Sequence, residues 1–229
     1  MTNEEKQLSE QESLKVITEM IGKVKESYHN TGISLLLWGS CVFIASFITF
    51  LQIQYSFNIP FDIWFIVLFA IIPQVIISIK ESKQRKFKSY DDVTMGILWL
   101  TYAITVFGLV AYQNIVPGAT DKFIHKEGWM LLQKWIDGTK PDEVIKPFAL
   151  SVTSMFLLVY AFPTLVTGVI KKFMPMIIGS IITYLLFVVS LYTSFKYDMI
   201  CSAIAALVCW FIPGIILRKR YLEKKRGNV

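Results

Sequence analysis

Chemistry in a protein is usually carried by histidine, cysteine and acidic side chains, and here they are few and scattered. The chain has two histidines, His29 and His125, and three cysteines, Cys41, Cys201 and Cys209. A metal site needs such residues at short, repeated spacings, and none occurs. No Gly-x-Ser-x-Gly, His-Glu-x-x-His or P-loop run is present. Three isolated cysteines inside apolar stretches give neither a disulfide framework nor a zinc site. The sequence therefore nominates no catalytic residue, no cofactor-binding residue and no metal ligand. Within the apolar stretches the polar residues are mostly Ser, Thr, Tyr and single amides such as Gln74, which usually bond between helices. Pro73, Pro163 and Pro213 each lie inside an apolar stretch. Such prolines bend a membrane helix and in transporters can mark a broken-helix site, though here simple kinking is the favoured reading.

These residues must be positioned by the elements around them, and composition says what those are. The chain has 229 residues, 54% hydrophobic and 17% charged, with a net charge of +6 and a mean hydropathy of +0.53. Soluble domains carry about 25% charged residues. A soluble enzyme and a disordered chain are both excluded by these numbers. A bilayer core of about 30 Å takes about 20 apolar residues per helix. Six windows qualify: 32–53, 59–79, 93–113, 148–170, 174–195 and 199–217. None has an Asp, Glu, Lys or Arg near its middle. Asp62 is placed near the start of the second window, where a short carboxylate caps a helix. Buried carboxylates for proton or sodium coupling are thus expected to be absent. The expected fold class is an all-α polytopic membrane protein, with six transmembrane helices (32–217), an N-terminal cytoplasmic amphipathic helix (1–31) and a basic tail (218–229).

Orientation follows from the basic residues. With the N-terminus inside, inner segments hold 17 Lys and Arg and outer segments hold 6. Cytoplasmic loops retain positive charge, so both termini are expected in the cytoplasm. No apolar run precedes Gly32, so a cleaved signal is not expected and the first span should serve as the insertion signal. The basic loop 80–88 and the basic tail are read as topology determinants first, with anionic lipid as a secondary reading.

Two segments outside the windows have patterns of their own. Leu14, Ile17, Ile21, Val24 and Tyr28 recur at three- and four-residue intervals and share one stripe of a helix. Two heptads do not make a stable coiled coil alone. The stripe must pack on the protein's own inner face, on the membrane interface, on a second copy or on a cytoplasmic partner. The outer segment 114–147 predicts an amphipathic helix from Thr120 to Gly138 with Trp129 and Trp135 at the membrane interface. A further helical turn is predicted at Thr139-Lys140-Pro141-Asp142. The pairs Gly179 with Thr183 and Ser202 with Ala206 predict close helix packing.

Four stretches carry a resemblance. They are Glu12 to Ile21, Leu35-Leu36-Leu37-Trp38-Gly39, the run Thr164 to Gly179 around Lys171-Lys172-Phe173, and Phe211-Ile212-Pro213-Gly214-Ile215-Ile216-Leu217. Together they resemble an uncharacterised family of small multi-pass bacterial inner-membrane proteins, often encoded near winged-helix regulators. The resemblance implies a multi-pass inner-membrane location and brings no catalytic residues with it. The outer segment 114–147 is longer than that family would lead one to expect. The expected role is a non-enzymatic integral membrane protein, accessory to regulation or envelope sensing, that binds a partner through its inner helix. A channel or facilitator for a small solute is the alternative, and a membrane-embedded enzyme acting on lipid is third. No cofactor and no specific nucleic acid are expected. The lipid bilayer, a cytoplasmic protein or a second copy are the expected partners.

Overall fold

The computed structural model describes residues 31–84, 90–147 and 152–227. The inner amphipathic stripe (Leu14, Ile17, Ile21, Val24 and Tyr28), His29 and the loop residues Arg85, Lys86 and Lys88 lie outside them. The helices are α1 (Ile33–Tyr55), α2 (Phe65–Phe69), α3 (Ile71–Gln84), α4 (Tyr90–Lys126), α5 (Val152–Ile170), α6 (Met174–Ser190), α7 (Phe195–Ala206) and α8 (Ile212–Gly227). A π-helical turn, Leu207–Phe211, joins α7 to α8 without a break, so the three form one long final helix. The strands β1 (Leu132–Gln133) and β2 (Glu143–Val144) pair antiparallel. The protein is an all-α polytopic membrane protein. Five helical stretches are long and apolar enough to cross a bilayer: Ile33–Tyr55, Phe65–Lys83, Val93–Lys126, Thr153–Ile170 and Phe195–Gly227. The sixth apolar helix, α6, has 17 residues.

The final helix is the hub: it packs against α1, α5 and α6. The reason is in its side chains. Ser202, Ala203, Ala205 and Ala206 are buried, and small residues let helix backbones approach closely in lipid. α5 and α6 pack on each other through the tight Lys171-Lys172-Phe173 link. That link is a Schellman end: Phe173 N–H bonds the Gly168 carbonyl at 2.8 Å and Lys172 N–H the Val169 carbonyl at 3.1 Å. Lys172 adopts the left-handed conformation there, with φ of 50°. The α2–α3 unit and α4 stand outside this core. Half of the apolar window is buried in the final helix and in α5, but only 6% in Phe65–Lys83 and in Val93–Lys126. Their exposed faces are Ile, Leu, Val and Phe, as lipid requires.

Several expected boundaries move, each for a local reason. The second span starts at Phe65 rather than near 59. Residues 56–64 form turns, in which the Trp64 N–H bonds Asp62 Oδ1 at 2.9 Å; the N-cap of α2 is Trp64, so Asp62 closes the turn before the helix rather than capping it as expected. The break between α2 and α3 falls at Ala70. Pro73, three residues on, cannot donate an N–H and crowds the carbonyl of Phe69. The third span does not stop at 113. α4 runs on through Pro117 to Lys126, where Gly128, at φ of 83°, ends it. Trp129 N–H bonds the Ile124 carbonyl and Gly128 N–H the His125 carbonyl, a second Schellman end. The expected outer helix from Thr120 to Gly138 is therefore wrong beyond Lys126. Trp129, Trp135 and Ile136 lie in a short hairpin and its flanking turns. The predicted turn at Thr139 to Asp142 is not helical either: Asp137 Oδ1 accepts from the Thr139 N–H at 3.2 Å and from its hydroxyl at 2.8 Å. The last helix is longer than 199–217, extending from Phe195 to Gly227.

Candidate functional site

Polar side chains run through the bundle at three levels. Nearest the basic tail, the second span is stitched to α1. Thr31 Oγ1 donates to Glu81 Oε1 at 2.5 Å, Trp38 Nε1 to Gln74 Oε1 at 3.0 Å, and Gln74 Nε2 to the hydroxyls of Ser34 and Ser78 at 3.2 and 3.1 Å. Positions 31, 34 and 38 and positions 74, 78 and 81 follow the helical three–four spacing, so one stripe meets another.

At mid-bundle lies the π turn. Pro213 has no N–H for the carbonyl of residue 209, and its ring crowds that carbonyl. The preceding turn is widened, and Ile212 N–H bonds the Leu207 carbonyl, five residues back. Two glycines clasp the widened turn. A Cβ built on Gly39 of α1 would stand 2.6 Å from the Phe211 nitrogen, and one on Gly179 of α6 would stand 2.1 Å from the Val208 carbonyl oxygen. The turn presents Trp210, whose Nε1 donates to Thr164 Oγ1 at 3.1 Å, and Cys209, whose Sγ is 3.1 Å from Thr183 Oγ1. Thr164 passes its own hydrogen to the Tyr160 carbonyl at 2.8 Å. Trp210 packs on Tyr160, with centroids 4.8 Å apart, and edge-on to Tyr102, 6.1 Å away. Tyr102 and Trp99 bring α4 to the core through this cluster.

At the end remote from the basic tail sits Asp198. The sequence places it in a three-residue outer link. In the structure it belongs to the first turn of α7 and is wholly buried. The expectation that buried carboxylates are absent is overturned by this residue. Its Oδ1 accepts from Thr193 Oγ1 at 2.8 Å, and its Oδ2 has no hydrogen-bond partner among the described residues. Thr193 Oγ1 also lies 3.4 Å from the Ser190 carbonyl, which the Ser154 hydroxyl approaches at 3.4 Å as well. One turn deeper, Ser46 of α1 donates to Ser202 at 3.2 Å. Asp198 is legible in hindsight. The run Cys201-Ser202-Ala203-Ile204-Ala205-Ala206 packs closely on several sides, and a residue one turn before it is buried with it.

No family model, curated protein or solved structure matches the chain.

Gln74, Tyr102, Thr105 and Tyr184 are the residues that would line a solute path, and the first three serve separate contacts. Gln74 is engaged by Trp38, Tyr102 lies in the aromatic cluster, and Thr105 is exposed and bonds back to the Thr101 carbonyl at 2.9 Å. The helix of Gln74 packs on α1 and α2, and the backbone of α4 on α5. Pro163 and Pro213 are buried in the core, whereas Pro73 belongs to the outlying second span. Gly179 and Thr183 pack on the final helix as their spacing predicts, and Ser202 and Ala206 are buried on that helix. Cys41, Cys201 and Cys209 are buried free thiols. His125 is a surface residue, with Nδ1 3.0 Å from the Asp121 carbonyl. An open depression lined by Thr49, Gln52, Pro60, Asp62 and Trp64 lies at the end of α1.

Proposed function

We propose that this chain is a non-enzymatic protein of the bacterial inner membrane, with both termini in the cytoplasm, that serves regulation or envelope sensing by docking a partner. The docking element is the inner helix, through Leu14, Ile17, Ile21, Val24 and Tyr28. The observation that carries the reading is the filling of the core. Aromatic rings and the clasped π turn fill the middle of the bundle, and Gln74, Tyr102 and Thr105 serve separate contacts. A bundle of that kind supports a scaffold better than a facilitator. The distribution of Lys and Arg supports the orientation. The resemblance in four stretches supports membership of a family of small bacterial inner-membrane proteins. The outer hairpin 127–147 is a second surface, carried on the end of α4.

Replacing Ile17 and Ile21 with Lys tests the docking role. Each buried Ile contributes about 1.5–3 kcal/mol, so two dominate a small interface. Affinity purification in mild detergent, with membrane yield measured alongside, should show lost association at normal yield. Normal association would remove the stripe as the docking surface. Reduced yield with aggregation would show that the stripe packs on the protein's own inner face.

A further inference from the structure

We propose that Asp198 is a proton-binding site, and that the single hydroxyl of Thr193 reports its charge to the carboxyl end of α6. Asp198 is wholly buried, and one of its two oxygens has no partner among the described residues. The helices packed on α7 are α1, α5 and α6. Their titratable side chains are Cys41 and Tyr55 on α1, Tyr160 on α5 and Tyr184 on α6, and none is a cation at neutral pH. On its own helix stand Lys196, Tyr197 and Cys201. The Lys196 ammonium lies over the Tyr197 ring, 5.2 Å from its centre. The π turn brings Cys209. Residues 148–151, Phe-Ala-Leu-Ser, include no ionisable residue. No counter-ion is therefore supplied by the helices that bury the group. The amino end of α7 helps a negative charge only modestly. A buried, unpaired carboxylate is costly, and the ordinary remedy is to neutralise it. Oδ2 has no exposed surface, which suits a proton and leaves no room for a hydrated metal ion.

The hydrogen bonds decide where the proton goes. Thr193 Oγ1 stands between two acceptors, Asp198 Oδ1 at 2.8 Å and the Ser190 carbonyl at 3.4 Å, and it has one hydrogen to give. When the carboxylate takes a proton from water, the new O–H forms on Oδ1 and donates to Thr193 Oγ1. The threonine hydrogen then turns to the Ser190 carbonyl. Every donor is satisfied, and Oδ2 is the carbonyl oxygen of a neutral acid rather than half of a bare charge. When the proton leaves, the hydroxyl turns back to Oδ1 and the Ser190 carbonyl keeps only the 3.4 Å approaches of Ser154 Oγ and Thr193 N–H. Gain or loss of one proton thus reorganises the joint of α5, α6 and α7. This site is independent of the docking helix.

Infrared spectroscopy of the purified full chain in lipid nanodiscs at neutral pH tests it. The expected result is a protonated-carboxyl stretching band that disappears in Asp198→Asn. In Thr193→Val the band should shift to higher frequency, because the acid loses its acceptor. Absence of the band at neutral pH, or its persistence in Asp198→Asn, would overturn the proposal. If the Asn variant does not fold, carbon-13 labelling of the aspartate carboxyls must move the band in the unaltered protein. A band that stays in place under labelling does not come from an aspartate and overturns the proposal equally.

Discussion

Gly179 lies against Val208 so closely that a methyl group on its Cα would stand 2.1 Å from the Val208 carbonyl oxygen. The contact is backbone to backbone, so no side chain can rotate away. Gly179→Ala should destabilise the bundle by about 1–3 kcal/mol, the range for an overfilled core. Thermal unfolding in detergent would read this as a lowered midpoint. Gly108→Ala is the control, because nothing lies within 4 Å of the added carbon. It should be neutral or stabilising by up to about 1 kcal/mol, since glycine weakens a helix interior.

Thr164 and Trp210 form a second test pair. Thr164→Val strands a buried indole N–H, at a cost of about 1–3 kcal/mol. Trp210→Phe removes the donor and also opens the contacts with Tyr160 and Tyr102. In a double-mutant cycle the coupling energy should be close to the average of about 0.6 kcal/mol found for membrane hydrogen bonds. A coupling near zero would show that the 3.1 Å contact contributes nothing net.

Topology is checked with single cysteines. In a background lacking Cys41, Cys201 and Cys209, Lys126→Cys should react with an impermeant thiol reagent on intact cells, and Lys224→Cys only after lysis. The reverse pattern would invert the orientation. Lys126 ends α4 and Lys224 lies in the last turn of α8, so each reports a helix end.

Beyond the membrane-spanning helices, the hydrogen bonds from Thr139 hold the Asp137 carboxyl below its ordinary range. A lowered folded-state value favours the charged form. The contribution to the loop is present above the ordinary Asp value and is lost as pH falls through the folded one. Following Asp137 by NMR should show titration below a free aspartate, and Thr139→Ala should return it towards the ordinary value.

The apolar windows were legible because lipid imposes their length and composition, and all six reappear as helices. Their ends were less so. The apolar pattern runs past Lys126 to Gly138, which is why the outer helix is expected to end there. What decides for Gly128 is the Schellman pairing with Ile124 and His125, which depends on backbone angles that a residue pattern does not carry. Asp198 was misplaced because hydropathy counts a carboxylate beside a lysine and a tyrosine as loop. Its burial comes from four helices meeting, a property of packing. The clasp of Gly39 and Gly179 on the π turn was hidden for the same reason. Each glycine is ordinary in sequence and acquires its role from a partner on another helix.

The π turn also has a meaning in phase. An α-helix turns by about 100° per residue, and a widened turn holds one residue more than the α-helical pattern needs. Everything after Phe211 is rotated by roughly that angle relative to an unbroken helix. The rotation brings Gly214 against Leu36, where an added Cβ would meet the Leu36 nitrogen at 3.0 Å, and sets the Arg218 backbone beside Gly32. Deleting a single residue between Leu207 and Phe211 would restore regular winding and swing the basic end of the helix about a quarter-turn around its own axis. The direction in which that end faces is thus set by one surplus residue in the middle of the bundle.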